Sequence, residues 1–409
     1  MNGSPTLDLI YIDSGGGHRA AARALEAAIQ EQQRPWNLRL ACVQDLLDSI
    51  DFIRKTTGIP FQEVYNIMLR RGWTMGTAQI IPAMHLVIRM LHRQQVEVLE
   101  RHWRSHPADM VVSLIPHYNR ALREAFAAAC PGRPFVTILT DIADYPPHFW
   151  IERQDQYVVC GSERALQQAR ELGLPAERIL PVSGMILHPR FYAAPSVDTA
   201  QARERLGLRP DLPTGLVMFG GEGSFDTVKV ARALNRPGSG VQLILLCGRH
   251  EESARLVRQM APEIPMFIEG FTREVPYYMA LADFYIGKPG PGSISEALAM
   301  KLPVILERNI RTLAHERYNA DWILEREVGL VVNNYDQVGH AVAELLDPER
   351  YARFRANAAA YRNRAVYEVV DWLDRILLHQ PEPAAELAPR RKRPMHHKRL
   401  PGLSRFARR

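Results

Sequence analysis

LDLIYIDSGGGHRAAARALEAAI, residues 7–29, runs an apolar strand pattern into three glycines and then into an alanine-rich helical pattern. A turn without side chains lets a ligand approach the backbone. The helix start behind it offers unpaired N–H groups and the positive end of the helix dipole. A second copy of the device, DFYIGKPGPGSISEALAM, occupies residues 283–300. The first turn presents a histidine, His18, and the second presents Ser293 and Glu296. The pair suggests two facing sites, one for chemistry and one for a phosphorylated ligand.

Working outward from these two turns, strand and helix patterns alternate along the chain. Strands read at 7–12, 38–43, 110–113, 135–139, 156–160 and 179–182, with helices at 18–30, 118–129 and 163–172. Residues 185–213 read as a linker with one short helix, and a second strand series follows at 215–219, 241–246, 266–268, 284–286, 303–306 and 329–332. Alternation of this kind argues for parallel sheets covered by helices. The expectation is an α/β chain of two Rossmann-like domains facing each other across a cleft, with both glycine turns opening toward it. The expected boundaries are 1–190 for the first domain, 191–213 for the linker, 214–365 for the second domain, 366–380 for a C-terminal helix and 381–409 for a tail.

Composition removes several classes. At 409 residues, 46% apolar and 23% charged, the chain has room for two cores. The most apolar stretch, 80–91, is interrupted by Pro82, His85 and Arg89 and is too short to cross a bilayer. No basic segment precedes the apolar run at 7–12, which therefore reads as a strand, and the expected location is cytoplasmic and peripheral to a membrane. Cys42, Cys130, Cys160 and Cys247 lack metal-binding spacing and sit in or beside apolar runs, as buried thiols do.

The net charge of +6 resides in the tail: residues 387–409 hold nine Lys or Arg and no acid, leaving the other 386 residues at −3. Such a segment reads as disordered. It can be a plain solvated extension, a tether to an anionic membrane surface or, lacking interleaved aromatics, less naturally a nucleic-acid contact; no nucleic-acid partner is expected. The insert at 56–104 mixes arginines with apolar residues and reads either as a membrane-interface element or as a helical cap.

Gly15, Gly17 and Ala20 fit a dinucleotide fingerprint, but the acid expected about 20 residues on is absent, and Asp45 comes later. His18 is the more telling residue. A helix N-terminus disfavours the imidazolium, so a neutral ring able to take a proton from an alcohol is favoured there, although a histidine after glycines can also merely cap the helix.

SGGGHRAAARAL resembles the opening motif of the monogalactosyldiacylglycerol synthases and processive diacylglycerol glucosyltransferases, and GKPGPGSISEALAMKLPVI resembles the donor motif of the related glycosyltransferase family 28. Thr140 and Asp141 before Trp150, SGMILHPRF at 183–191, GGEGS at 220–224 and CGRHEE at 247–252 agree in order and spacing. The resemblance implies a GT-B fold and an inverting transfer of a hexose, galactose or glucose, from a UDP-sugar to a lipid such as diacylglycerol. No cofactor or metal is implied. By the same resemblance His18 is the base, with Asp141 beside it on the catalytic side, while Gly16 and Gly17 line the donor phosphates or the acceptor. The donor side takes Gly221, Gly223 and Arg249, with Phe271 and Thr272 at the nucleotide base. Gly290, Gly292 and Ser293 face the diphosphate, Glu296 the ribose, and Glu316 and Asn319 the sugar. The chain departs from relatives in carrying Pro147 and His148 where a histidine is usual three residues before the tryptophan, and His315 where Gln is frequent. A nucleotide-sugar sensor without turnover and an N-acetylglucosamine-type transferase acting on another lipid-linked acceptor stand as alternatives.

Overall fold

A computed structural model describes residues 3–13, 16–50, 88–145, 149–193 and 196–379. The first sheet contains β1 (Thr6–Tyr11), β2 (Asn37–Cys42), β3 (Met110–Ser113), β4 (Phe135–Ile138), β5 (Tyr157–Cys160) and β6 (Ile179–Pro181), in the order β2-β1-β3-β4-β5-β6. The second contains β7 (Thr214–Met218), β8 (Gln242–Leu246), β9 (Met266–Glu269), β10 (Phe284–Gly287), β11 (Val304–Glu307) and β12 (Gly329–Val332), in the order β12-β11-β10-β7-β8-β9. Every pairing is parallel. The twelve strand patterns of the sequence therefore fall on the twelve strands of the described residues, within about a residue or two at each end.

The reason is burial. Leu7, Leu9 and Ile10 of β1 have no solvent exposure, and β3, β4, β5, β7, β8 and β10 are buried throughout, as central parallel strands with helices on both faces must be. The helix α1 (Gly17–Glu31) buries Ala21, Ala22, Ala24, Leu25, Ala28 and Ile29, so small side chains at helical spacing let it lie close on the sheet. All four cysteines are buried and free.

Strand order reverses at one place in each sheet, between β1 and β3 in the first and between β7 and β10 in the second. Ligands of doubly wound sheets bind at such switch points, beyond the carboxyl ends of the strands. The first glycine turn follows β1, and in the second sheet both flanking strands end in one: residues 219–224 after β7 and 288–292 after β10.

The domains are joined twice. Residues 182–213 carry the chain across with one short helix, α6 (Thr199–Arg205), after α2 (Val43–Leu47), α3 (His92–Ser105), α4 (Asn119–Ala129) and α5 (Glu163–Glu171) of the first half. The second half adds α7 (Asp226–Leu234), α8 (Glu251–Arg258), α9 (Val275–Ala280), α10 (Pro291–Ala299), α11 (Arg317–Glu325), α12 (Val338–Leu345) and α13 (Pro348–Ala360). After α13 the chain returns, and α14 (Ala365–His379) buries Val366, Val369, Val370 and Leu373 in the core of the first domain, against α1. Arg34 reaches Asp374 and Asp371 of α14 at 2.8 and 3.0 Å, and Asn363 Nδ2 donates to the Met185 carbonyl where the two crossings meet. No described helix is long and apolar enough to cross a membrane. The segments 51–87, 146–148 and 380–409, which hold most of the insert, the Pro147–His148 departure and the basic tail, lie outside the described residues, as do Ser14 and Gly15.

Candidate active site

The first turn closes with Gly16 at φ 81°, a left-handed conformation that suits glycine, and α1 starts at Gly17. One residue further, His18 is half-buried and hydrogen-bonds Thr140 Oγ1 through Nδ1 at 3.0 Å. A backbone bond to Leu114, at the end of neighbouring β3, holds it from the other strand of the switch point. Burial and the proximity of His315 push the imidazole down to about 4, with the Leu114 contact acting weakly the other way. Such a ring is neutral at pH 7, which is what a proton acceptor requires.

Asp141 is buried, and its carboxylate accepts from the Trp150 indole N–H at 2.8 Å. Burial raises its pKa, and Glu316 raises it further, against the lowering influence of His315, the Trp150 bond and Lys288. Trp150 lies 5.6 Å from the His18 ring. Thr140, not its neighbour Asp141, is thus the direct partner of the histidine, and Asp141 reaches it through the tryptophan. The loop is held by Asp144, which accepts from the Trp150 N–H at 2.7 Å, and by buried Asn119, whose amide donates to the Trp150 carbonyl at 3.0 Å.

On the opposite domain, Pro291 begins α10 with Gly290 as its N-cap, a position where proline's fixed φ and missing N–H cost nothing. Ser293 hydrogen-bonds the hydroxyl of buried Tyr285, which itself donates to the Met218 carbonyl at 2.7 Å and so ties the ends of β7 and β10 together. A Cβ on Gly292 would meet nothing within 4 Å, leaving this face of the helix start open. Burial pushes Glu296 up to about 7, and Arg190 draws it partly back.

The turn after β7 is packed quite differently. Gly223, at φ 73°, would place a Cβ 2.0 Å from the Cys247 carbonyl, so only glycine fits. Gly221 lies under Arg249, whose guanidinium sits 4.1 Å over the Phe271 ring and bonds Glu222 at 2.9 Å. Phe271 is 49% exposed and offers a flat face at the rim. Thr272 Oγ1 accepts from the Glu274 N–H at 3.0 Å and so caps the approach to α9.

Glu316 is 6% exposed and bonds Lys288 Nζ at 3.2 Å. Asn319, fully buried, donates to the Pro289 carbonyl at 2.8 Å and keeps a buried Oδ1 without a partner. The sequence pattern alone does not mark Lys288 as a site residue, yet its stem lies 3.3 Å from a Cβ built on Gly290 and 3.8 Å from one on Gly220. It places a cation between the two donor-side turns. The signal available was a lysine inside a glycine turn following a strand. Thr140 and Tyr285 escaped notice as site residues for a different reason: their roles depend on partners 122 and 67 residues away.

The two halves meet. Asp141 and His18 of the first domain lie within electrostatic reach of His315, and Asp141 within reach of Glu316 and Lys288 as well. Two six-stranded parallel sheets with their glycine turns toward one cleft make the GT-B fold, and an MurG of Acinetobacter baumannii shares it at 13% identity, TM-score 0.56, over 91% of this chain and 99% of that one. An S. aureus MnaA solved with UDP shares it at 14% identity, TM-score 0.57, over 93% and 100%. Residues 217–371 match the glycosyltransferase family 28 C-terminal domain. Spinacia oleracea monogalactosyldiacylglycerol synthase is 28% identical over 404 residues, covering 91% of this chain and 73% of that protein. The chain is thus similar to the monogalactosyldiacylglycerol synthases over most of its length and to the glycosyltransferase family 28 C-terminal domain over residues 217–371.

Proposed function

We propose that the protein is an inverting hexosyltransferase that moves galactose or glucose from a UDP-sugar to the hydroxyl of diacylglycerol or a related lipid. The observation that carries this reading is the meeting across one cleft of a neutral, half-buried His18 with His315, and of Asp141 with His315, Glu316 and Lys288. The kinship with a monogalactosyldiacylglycerol synthase and the fold shared with a protein solved with UDP supply the substrate classes.

In this scheme Phe271 and Thr272 receive the uracil end, Glu296 the ribose hydroxyls, and Ser293, Gly290, Gly292 and the start of α10, with Arg249 nearby, the diphosphate. Glu316 and Asn319 accept from sugar hydroxyls, as a carboxylate and an unpaired amide oxygen can. The acceptor oxygen attacks the anomeric carbon from the side of the first domain, the bond from that carbon to the diphosphate oxygen breaks, and His18 takes the hydroxyl proton. Negative charge grows on the leaving UDP, where Lys288, Arg249 and the helix N-terminus are already in place. Those groups carry the charge that a divalent cation carries elsewhere, so transfer is expected to persist in EDTA. Peripheral attachment to an anionic membrane surface through the tail and the insert completes the proposal.

The test is incubation with a panel of radiolabelled nucleotide sugars and diacylglycerol vesicles, followed by chromatography of the lipid phase. Labelled glycolipid from one UDP-hexose supports the reading. UDP binding with no lipid product from any donor would instead make the protein a nucleotide-sugar sensor.

A further inference from the structure

His315 occupies the loop between β11 and α11 of the donor domain, and its ring stacks on Phe149 of the other domain with centroids 5.5 Å apart and planes inclined by 17°. Its Nδ1 is enclosed without a hydrogen-bond partner, so the ring is placed by stacking and not by a polar contact at that nitrogen. Phe149 is 6% exposed and braced from behind. His117 meets it edge-to-face at 4.0 Å and donates its backbone N–H to the Phe149 carbonyl at 2.8 Å. His117 has φ 68°, an uncommon conformation for a residue with a Cβ, and one that persists where the surroundings over-determine it.

What the stack connects gives it meaning. Trp150, next to Phe149, holds Asp141 and lies beside His18, so a shift of Phe149 passes straight to the catalytic side. Glu316, next to His315, is bonded to Lys288 on the donor side. A second ring pair, Tyr145 and Tyr318 at 5.7 Å, also joins the two domains, and Arg164 Nε bonds the Tyr145 hydroxyl at 2.9 Å. Aromatic pairs at such separations attract each other weakly, which suits a contact that must part once per turnover.

We propose that the His315–Phe149 stack is a latch that shuts the cleft over the transferring sugar and keeps water from it, so that His315 is a positioning residue acting through its ring. The inference rests on the reading of the protein as a UDP-sugar-dependent transferase. The latch sets the partition between two fates of the donor: transfer to the lipid hydroxyl, and hydrolysis, in which water attacks the anomeric carbon, UDP leaves and the free hexose is released.

Three variants separate the ring from its nitrogen. His315→Phe keeps the stack and loses the polar atom, His315→Gln keeps a polar group and loses the ring, and Phe149→Leu removes the other half. Free hexose and glycolipid are counted in the same reaction, with UDP titration and thermal melting as controls for folding. Loosened closure should raise the hydrolysed share by about tenfold in His315→Gln and Phe149→Leu, whereas His315→Phe stays near wild type. A wild-type partition in His315→Gln, or a rise in the hydrolysed share in His315→Phe as large as in His315→Gln, overturns the latch. Hydrogen exchange of residues 149–151 with and without UDP reads the same contact without any acceptor: UDP should protect them in wild type and His315→Phe and fail to do so in His315→Gln. Should the wild type make no glycolipid at all, the functional reading falls while this exchange experiment still decides the latch.

Discussion

His18 illustrates how much a single side chain depends on its surroundings. In water an imidazole is partly charged near neutrality, and here burial and a neighbouring histidine hold it down to about 4. Its neutral form is therefore present above that value and lost as pH falls through it, so the transfer rate at saturating donor should stay level from pH 8 to 5 and decline only toward pH 4. Replacing it with alanine should lower the rate by about 10²- to 10⁴-fold while UDP affinity, measured by calorimetry, changes only a few-fold. Glu296 shifts the opposite way, up to about 7 by burial. A carboxyl group whose folded pKa is raised favours the fold while protonated and loses that contribution as pH rises through the folded value. Glu296→Gln should therefore melt higher than wild type at pH 8 and close to it at pH 5. Because ribose hydroxyls donate to a carboxylate, Glu296→Ala should weaken both UDP and UDP-sugar, and UDP should bind wild type more tightly as pH climbs past 7. Glu316→Ala should weaken only the sugar nucleotide. Equal losses for UDP and UDP-sugar in Glu316→Ala would remove that residue from the sugar site.

At the scale of the element, the two donor-side turns look alike in sequence and behave oppositely. Gly223 is jammed: a methyl there would sit 2.0 Å from the Cys247 carbonyl, at a φ that side chains rarely adopt. Gly223→Ala is expected to cost about 2 kcal/mol or more of stability and to dislodge Arg249, whose N–H bonds the Gly221 carbonyl at 2.9 Å. Gly292 is in the first turn of α10 with open space where a Cβ would go. Gly292→Ala should leave the melting temperature unchanged or raise it by the equivalent of about 0.4–1 kcal/mol, yet weaken UDP, because the open space is where the diphosphate approaches. Thermal melts and UDP titrations of the two variants make the contrast. UDP bound as tightly by Gly292→Ala as by wild type would move the diphosphate away from this helix.

For the whole molecule, the returning helix α14 decides integrity. Leu373 is fully buried in the first domain although it lies beyond the second in sequence. Leu373→Ala should therefore destabilise the first domain by about 2–5 kcal/mol, read by chemical denaturation or by hydrogen exchange in β1 and α1. The basic tail, outside the described residues, belongs to the same scale by its charge. Removing residues 387–409, with nine Lys or Arg, should weaken sedimentation with anionic vesicles and flatten its salt dependence while leaving turnover of a detergent-dissolved acceptor nearly unchanged. Equal sedimentation of full-length and truncated protein at every salt concentration would leave the tail a plain extension.

Local rules were enough for the strands. Parallel strands at the centre of a sheet are uniformly apolar and glycine turns need no distant partner to be recognised, so the residues alone fixed the twelve strands of the described segments, their grouping in two series and the places of His18, Ser293 and Glu296 at the two turns. What they could not determine was pairing between residues far apart in the chain. The strand order that puts a switch point at each turn, the Thr140 contact to His18, Lys288 between two glycine loops, and the Phe149–His315 stack all arise from closures over tens to hundreds of residues. So does the insertion of α14 into the first core, which a boundary drawn by sequence order alone assigns merely to the chain's end. The physical reason is that side-chain chemistry and periodicity are properties of short segments, whereas burial, shifted pKa values and contacts across a cleft exist only once separate segments have been packed against each other.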